Sequence, residues 1–272
     1  MSSSLKYLLL VAPAALMIAI LFLYPLGFSL VSAFTAPGQP FTLDHFRKVY
    51  ALYASDVLFS LLIVLISVAL LALLAITLSA VIALSPCRPV VRLLGFLYRL
   101  PLFIPFIVVA QMMRTFLAKN GLMNNALVTP LETLSWLGWK GIVITFVWKQ
   151  LAFATLLICG AMAALESSQI LAARNLGASR PRILFDIMLP QVLPTIGVAL
   201  VLSTVTMMSV LSVPLMIGVG TPTMLTVDMA FRVNSYGDYA VANALGVVSL
   251  AICGALSWFY LRHSLQQKGG ES

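Results

Sequence analysis

Six continuous apolar runs follow one another along the chain, near residues 7–34, 57–84, 94–117, 140–164, 194–217 and 241–261. A hydrocarbon core about 30 Å thick is crossed by about 20 residues of α-helix, so each run predicts one transmembrane helix. The runs are unbroken rather than alternating, which excludes a β-barrel. Helix-breaking clusters separate them: Pro37-Gly38-Gln39-Pro40, Ser85-Pro86-Cys87-Arg88-Pro89, Lys119-Asn120-Gly121 and Gly218-Val219-Gly220-Thr221-Pro222. The first run continues from Lys6 to Phe34 without a charge. That is too long for the apolar core of a cleaved leader and predicts a retained helix.

Composition removes the soluble alternatives. Of 272 residues, 61% are hydrophobic and 9% are charged, against about 45–50% and about 25% in a soluble domain. So few charges cannot coat a water-facing globule. No stretch is left for a separate catalytic domain, and residues 1–272 read as a single all-α transmembrane domain. The net charge is +8, yet no basic run exceeds two residues, which argues against nucleic acid. The basic residues instead set orientation. With the N-terminus inside, the inner segments hold Lys6, Arg88, Arg92, Arg174, Arg180, Arg182, Arg262 and Lys268, and the outer ones Arg47, Lys48, Lys119, Lys140 and Arg232. Both termini are therefore expected in the cytoplasm, with Trp136 and Trp139 at the outer interface. Cys87, Cys159 and Cys253 show no metal-ligand spacing, so no metal site is expected.

One connector differs from the rest. Residues 166–193 are too long for a turn and too regular for a loose loop. Ile170, Ala173 and Leu176 recur at helical spacing, and Gly177 is placed to end that helix in a left-handed conformation. Ser179 can cap a second helix that tolerates Pro181 in its first turn, and Pro190 is expected to stop or bend it at the membrane. The reading is helix–Gly–helix between the fourth and fifth spans, on the cytoplasmic face, with Arg174, Arg180 and Arg182 exposed. Such a pair either docks into a groove of another protein or lies on lipid headgroups.

This segment resembles the signature loop of the membrane subunits of type I ABC importers, the EAA-loop permeases of binding-protein-dependent transport. Their pattern runs E-A-A, three residues, G, nine residues, I-x-L-P. Ala172 and Ala173 match the two alanines and Gly177 the glycine, and nine residues from Ala178 lead to Ile187, Leu189 and Pro190. Leu171 stands where the family usually has glutamate. The proline-containing stretch Leu100 to Pro105 is similar to the start of the third helix in these permeases. Gly218 to Asp238 resembles permeases for polyamines, iron, thiamine or phosphonates.

The resemblance implies a transport subunit of the bacterial inner membrane, not an enzyme, forming half of a translocation path. Leu171, Ala172, Ala173, Gly177, Ala178, Ile187, Leu189 and Pro190 would couple it to a separate ABC ATPase dimer. ATP and Mg would sit on that partner, since the chain has no G-x-x-x-x-G-K-[ST] loop. A second, related permease chain and a periplasmic solute-binding protein are also implied. The solute is expected to be small and polar, such as a polyamine or phosphonate.

Polar residues within the runs are candidates for the path. Gln111 and Arg114 share a face three residues apart. Lys149, followed by Gln150, lies nine residues past Lys140, about 13 Å deep at 1.5 Å per residue. Lys149 either faces the path or ties helices together. Ser203, Thr206, Ser209 and Ser212 recur every third position, as a path wall or as small-residue packing. None of the six runs contains Asp or Glu, which argues against the alternative of a proton-coupled secondary transporter. A channel subunit is the other alternative.

Overall fold

A computed structural model describes residues 3–119, 121–123 and 136–268. Asn120 of the third predicted connector lies outside them. The chain divides into two compact units, residues 1–55 with 228–251, and residues 56–227 with 252–272.

In the first unit, α1 (Ser3–Ile18) passes through a π-helical turn (Ala19–Leu23) into α2 (Tyr24–Ala33). Pro25 follows directly, with no N–H to give to the carbonyl four residues back. The wider turn re-registers the hydrogen bonds ahead of it and the helix continues. Phe34 stacks on Phe41 at 5.9 Å and packs against Phe46 at 4.7 Å, folding the connector onto the start of α3 (Asp44–Leu84). Ser29 Oγ donates to Asn243 Oδ1 at 2.9 Å, joining α2 to α11 (Tyr239–Lys268).

The second unit is built around α6 (Trp139–Ala163). Of its most apolar stretch 61% of residues are buried, whereas none is in that of the first span, so α6 is a protein-lined centre and the first span is not. Against α6 pack α5 (Phe106–Leu117), α8 (Arg180–Ser209) and α9 (Ser212–Ile217). Their shared core includes Val109, Ala110, Ile142, Phe146, Ala152, Ile158, Ile196, Ala199, Met207 and Ile217. The unit also holds α4 (Arg88–Leu97) and α7 (Ser167–Asn175). The loop after α9 leads into α10 (Leu225–Asn234).

Among the described residues five helices are long and apolar enough to cross a membrane, and six if one bent pair counts as a span. The bent pair corrects the expectation of one straight helix over 94–117. Residues Arg88–Phe103 and Phe106–Leu117 meet at 110°. Pro105 is the cause: a residue before proline is driven out of the α region, and Ile104 has φ −97° and ψ 121°. The fifth span also differs. It begins at Arg180, ends at Ser209 and restarts as the short α9, instead of running straight from 194 to 217. Pro214 cannot donate to the carbonyl of Val210, which takes the Thr226 hydroxyl instead, at 3.3 Å.

Candidate functional site

The connector after α6 folds as two helices about Gly177. The glycine has φ +80°. Its N–H reaches the Arg174 carbonyl at 3.0 Å, and the Ala178 N–H reaches Ala173 at 2.9 Å. This pair of bonds is the Schellman arrangement, which satisfies the last carbonyls of α7 and needs a left-handed residue that glycine supplies without a Cβ clash. Ser179 stands at the start of α8, but its side chain makes no capping bond. Its carbonyl instead receives the Ile183 N–H at 3.0 Å. Pro190 does not stop α8. A π-helical turn over Ile183–Met188 precedes it, the same device as before Pro25, and the helix runs through.

The loop presents apolar side chains outward. Leu171 is 54% exposed, Phe185 64% and Leu176 89%. Ala172 and Pro190 are exposed, while Ala173, Ala178, Ile187 and Leu189 are half-buried. Between the two helices, Ala173, Gly177, Ala178, Arg182 and Ile187 line a concavity of about 260 Å³. Gln191 Nε2 holds α8 to α7 through Gln169 Oε1 at 3.0 Å. Arg174 and Arg180 are exposed, and so is Arg182, which pairs with Asp186 at 3.5 Å.

The candidate path residues separate into a buried and an exposed set. Lys149 is buried in α6, and its ammonium donates to the carbonyls of Pro101 at 2.5 Å and Ile104 at 2.6 Å. The ring centroid of Phe106 lies 5.2 Å away. In an unbroken helix the Pro101 carbonyl would take an N–H from residue 105, which is proline. The Ile104 N–H reaches that carbonyl only at 3.4 Å, and Lys149 adds a second, charged donor. It therefore ties the helices at the bend. Gln150 and Ser203 are also buried. Gln111 and Arg114 are exposed on α5. Thr206 and Ser209 spend their hydroxyls on the carbonyls four residues back, at 2.8 and 2.6 Å. The threefold stripe is thus not one face: Ser203 is fully buried, Ser209 is exposed, and Ser212 belongs to α9.

Two polar anchors escape sequence reasoning. Asp56 Oδ1 accepts the Thr223 N–H at 2.7 Å, and Ser60 Oγ accepts that of Leu225 at 3.0 Å. One turn of α3 thus holds the backbone leading into α10. Their i, i+4 spacing was visible, but not the loop more than 160 residues away. Separately, Arg232 lies over the rings of Tyr53 and Tyr236 at 5.2 and 5.1 Å and pairs with Asp238 at 3.4 Å. Among the described residues no group of three or more His, Cys, Asp or Glu could hold a metal ion.

A multi-span helical fold with a broken third span and an outward helix–Gly–helix connector defines a membrane transport subunit. The chain belongs to the family of binding-protein-dependent transport system inner membrane components, whose pattern matches residues 75–264. It is thus a multi-pass inner-membrane permease subunit of an ABC importer, and not an enzyme. It is 27% identical to the sulfoquinovosyl glycerol transport system permease protein SmoG of Agrobacterium fabrum, over 93% of this chain and 88% of that one. It is 29% identical to the trehalose/maltose transport system permease protein MalF of Thermococcus litoralis, over 52% of this chain and 51% of that one. A crystal structure of a bacterial alginate ABC transporter, in complex with alginate pentasaccharide-bound periplasmic protein, has a similar chain. It matches with TM-score 0.80 and 21% identity, over 94% of this chain and 92% of that one.

Proposed function

We propose that this chain forms half of the path of an importer for a saccharide or glycoside. The other half is a second, related permease chain. A periplasmic solute-binding protein delivers the solute, and an ABC ATPase dimer, carrying ATP and Mg, docks on residues 166–193. Both termini lie in the cytoplasm. The observation that carries the coupling role is the turn at Gly177, which holds Leu171 and Leu176 outward. Exposed apolar side chains on a fixed helix pair suit a protein groove. The polar path remains with Gln111, Arg114 and Ser209, which are exposed, and with half-buried Thr206.

A saccharide takes the place of the polyamine or phosphonate expected from residues 218–238. In its support stand the relatives, named for sulfoquinovosyl glycerol and for trehalose and maltose, and the structural neighbour, named for alginate. The test is uptake of labelled maltose, a sulfoquinovosyl glycoside, an oligouronate and spermidine in cells that express the chain with its partners. Uptake of spermidine alone would overturn the saccharide reading. Failure of any ATPase to co-purify would overturn the coupling role.

A further inference from the structure

A groove of about 600 Å³ runs along the second unit between the last turns of α3 and the first turns of α8. Leu73, Thr77 and Val81 form one wall, Leu184 and Phe185 the other, and Arg180 stands among the lining residues. Apart from Arg180 the lining is almost wholly apolar. The Thr77 hydroxyl is spent on the Leu73 carbonyl at 2.7 Å. Among the described residues Arg180 forms no ion pair.

We propose that this groove holds one acyl chain of an anionic phospholipid, whose phosphate is bound by Arg180. From Leu73 to Leu84 the groove follows about 16 Å of helix. A hydrocarbon chain fits. Charge decides the headgroup. An unpaired arginine at the end of an apolar slot calls for an anion. Basic pockets between helices on the cytoplasmic side are where anionic lipids bind. The site rests on the proposed orientation, in which Arg180 lies at the inner leaflet.

The transporter purified with its partners is mixed with equal amounts of phosphatidylglycerol and phosphatidylcholine of identical acyl chains. Retained lipid is then counted by native mass spectrometry. The wild type is expected to keep phosphatidylglycerol over phosphatidylcholine by about fivefold, the scale of one basic residue at an anionic surface. Arg180→Gln, at an exposed position, is expected to abolish the preference while lipid is still retained. Thr77→Trp, on the groove wall, is expected to lower retention of both lipids. No preference in the wild type, or an undiminished preference in Arg180→Gln, would overturn the site. So would a disulfide in native membranes from Val81→Cys to a second permease chain, because protein would then fill the slot. Because Arg180 lies in the segment proposed to dock the ATPase, each variant is also assayed for ATPase co-purification, and loss of the lipid preference with the ATPase retained distinguishes failure of the lipid site from failure of the transport reading.

Discussion

Lys149 Nζ lies 2.6 Å from the carbonyl oxygen of Ile104, so a cation in one helix caps the break in another 45 residues earlier in the chain. The extended Ile104 has no helical donor for that oxygen. The lysine converts a proline-broken span into a fixed bend of 110°. Removing the donor leaves the part-buried Ile104 carbonyl without that partner, at a cost of about 1–3 kcal/mol.

Lys149→Met is expected to lower the melting temperature of the purified subunit and to reduce uptake at least tenfold. Lys149→Arg keeps a donor and is expected to recover part of both. Unchanged melting and uptake in Lys149→Met would show that the bend holds without its cap.

At Gly177 the left-handed backbone is the constraint, since a Cβ there meets no neighbour. A residue with a Cβ costs about 1 kcal/mol or more in this conformation. Gly177→Ala is expected to weaken ATPase co-purification modestly, and Gly177→Asp and Ala173→Asp to abolish it, with insertion intact in all three. Leu171→Glu restores the usual family residue and is expected to be tolerated. Normal co-purification with both aspartate variants would remove the loop from the coupling role.

The Asp56 and Ser60 anchors make a local prediction. Ser60→Ala takes away the acceptor of the Leu225 N–H. Amide exchange at Leu225 is expected to speed up severalfold, while exchange at buried Phe146 stays at the wild-type rate. Equal exchange at Leu225 in the two proteins would mean that the loop is held by other contacts.

Orientation is read by cysteine labelling in a Cys87→Ser background, because Cys87 is exposed. Gln39→Cys, at an exposed turn, is expected to react with an impermeant reagent in intact cells. Ser179→Cys is expected to react only after permeabilisation. Thr42 is a poor reporter, being 6% exposed and hydrogen-bonded to the Asp44 N–H. The reverse labelling pattern would turn the subunit over.

Continuous apolar runs were enough to locate the spans, because lipid demands length and hydrophobicity from each segment alone. The Gly177 turn was legible for a similar reason: a left-handed helix end is a local event with its own residue. What could not be read depends on partners distant in sequence. Neither the break at Pro105 nor the lysine that holds it could be read, because the bend is fixed by a residue 45 positions later in the chain. Pro190 alone suggests a stop or a bend, and the wider turn ahead of it, which lets the helix pass, has no residue signature of its own. The Ser203 stripe looked like one face, but three-residue steps drift around a helix, and the break at Val210 detaches Ser212 from it.

The π-helical turn at Ile183–Met188 also acts as a phase setter. Each residue of an α-helix advances the side chains by about 100°. A wider turn stores one surplus residue, so everything beyond it is rotated relative to an uninterrupted helix. The azimuth at which Ser203 enters the core and Ser209 leaves it is thus set, relative to the Gly177 elbow, by the six residues of this turn. Excising one of them would leave the composition and hydropathy of the span almost unchanged while turning the face that packs on α6 away from it.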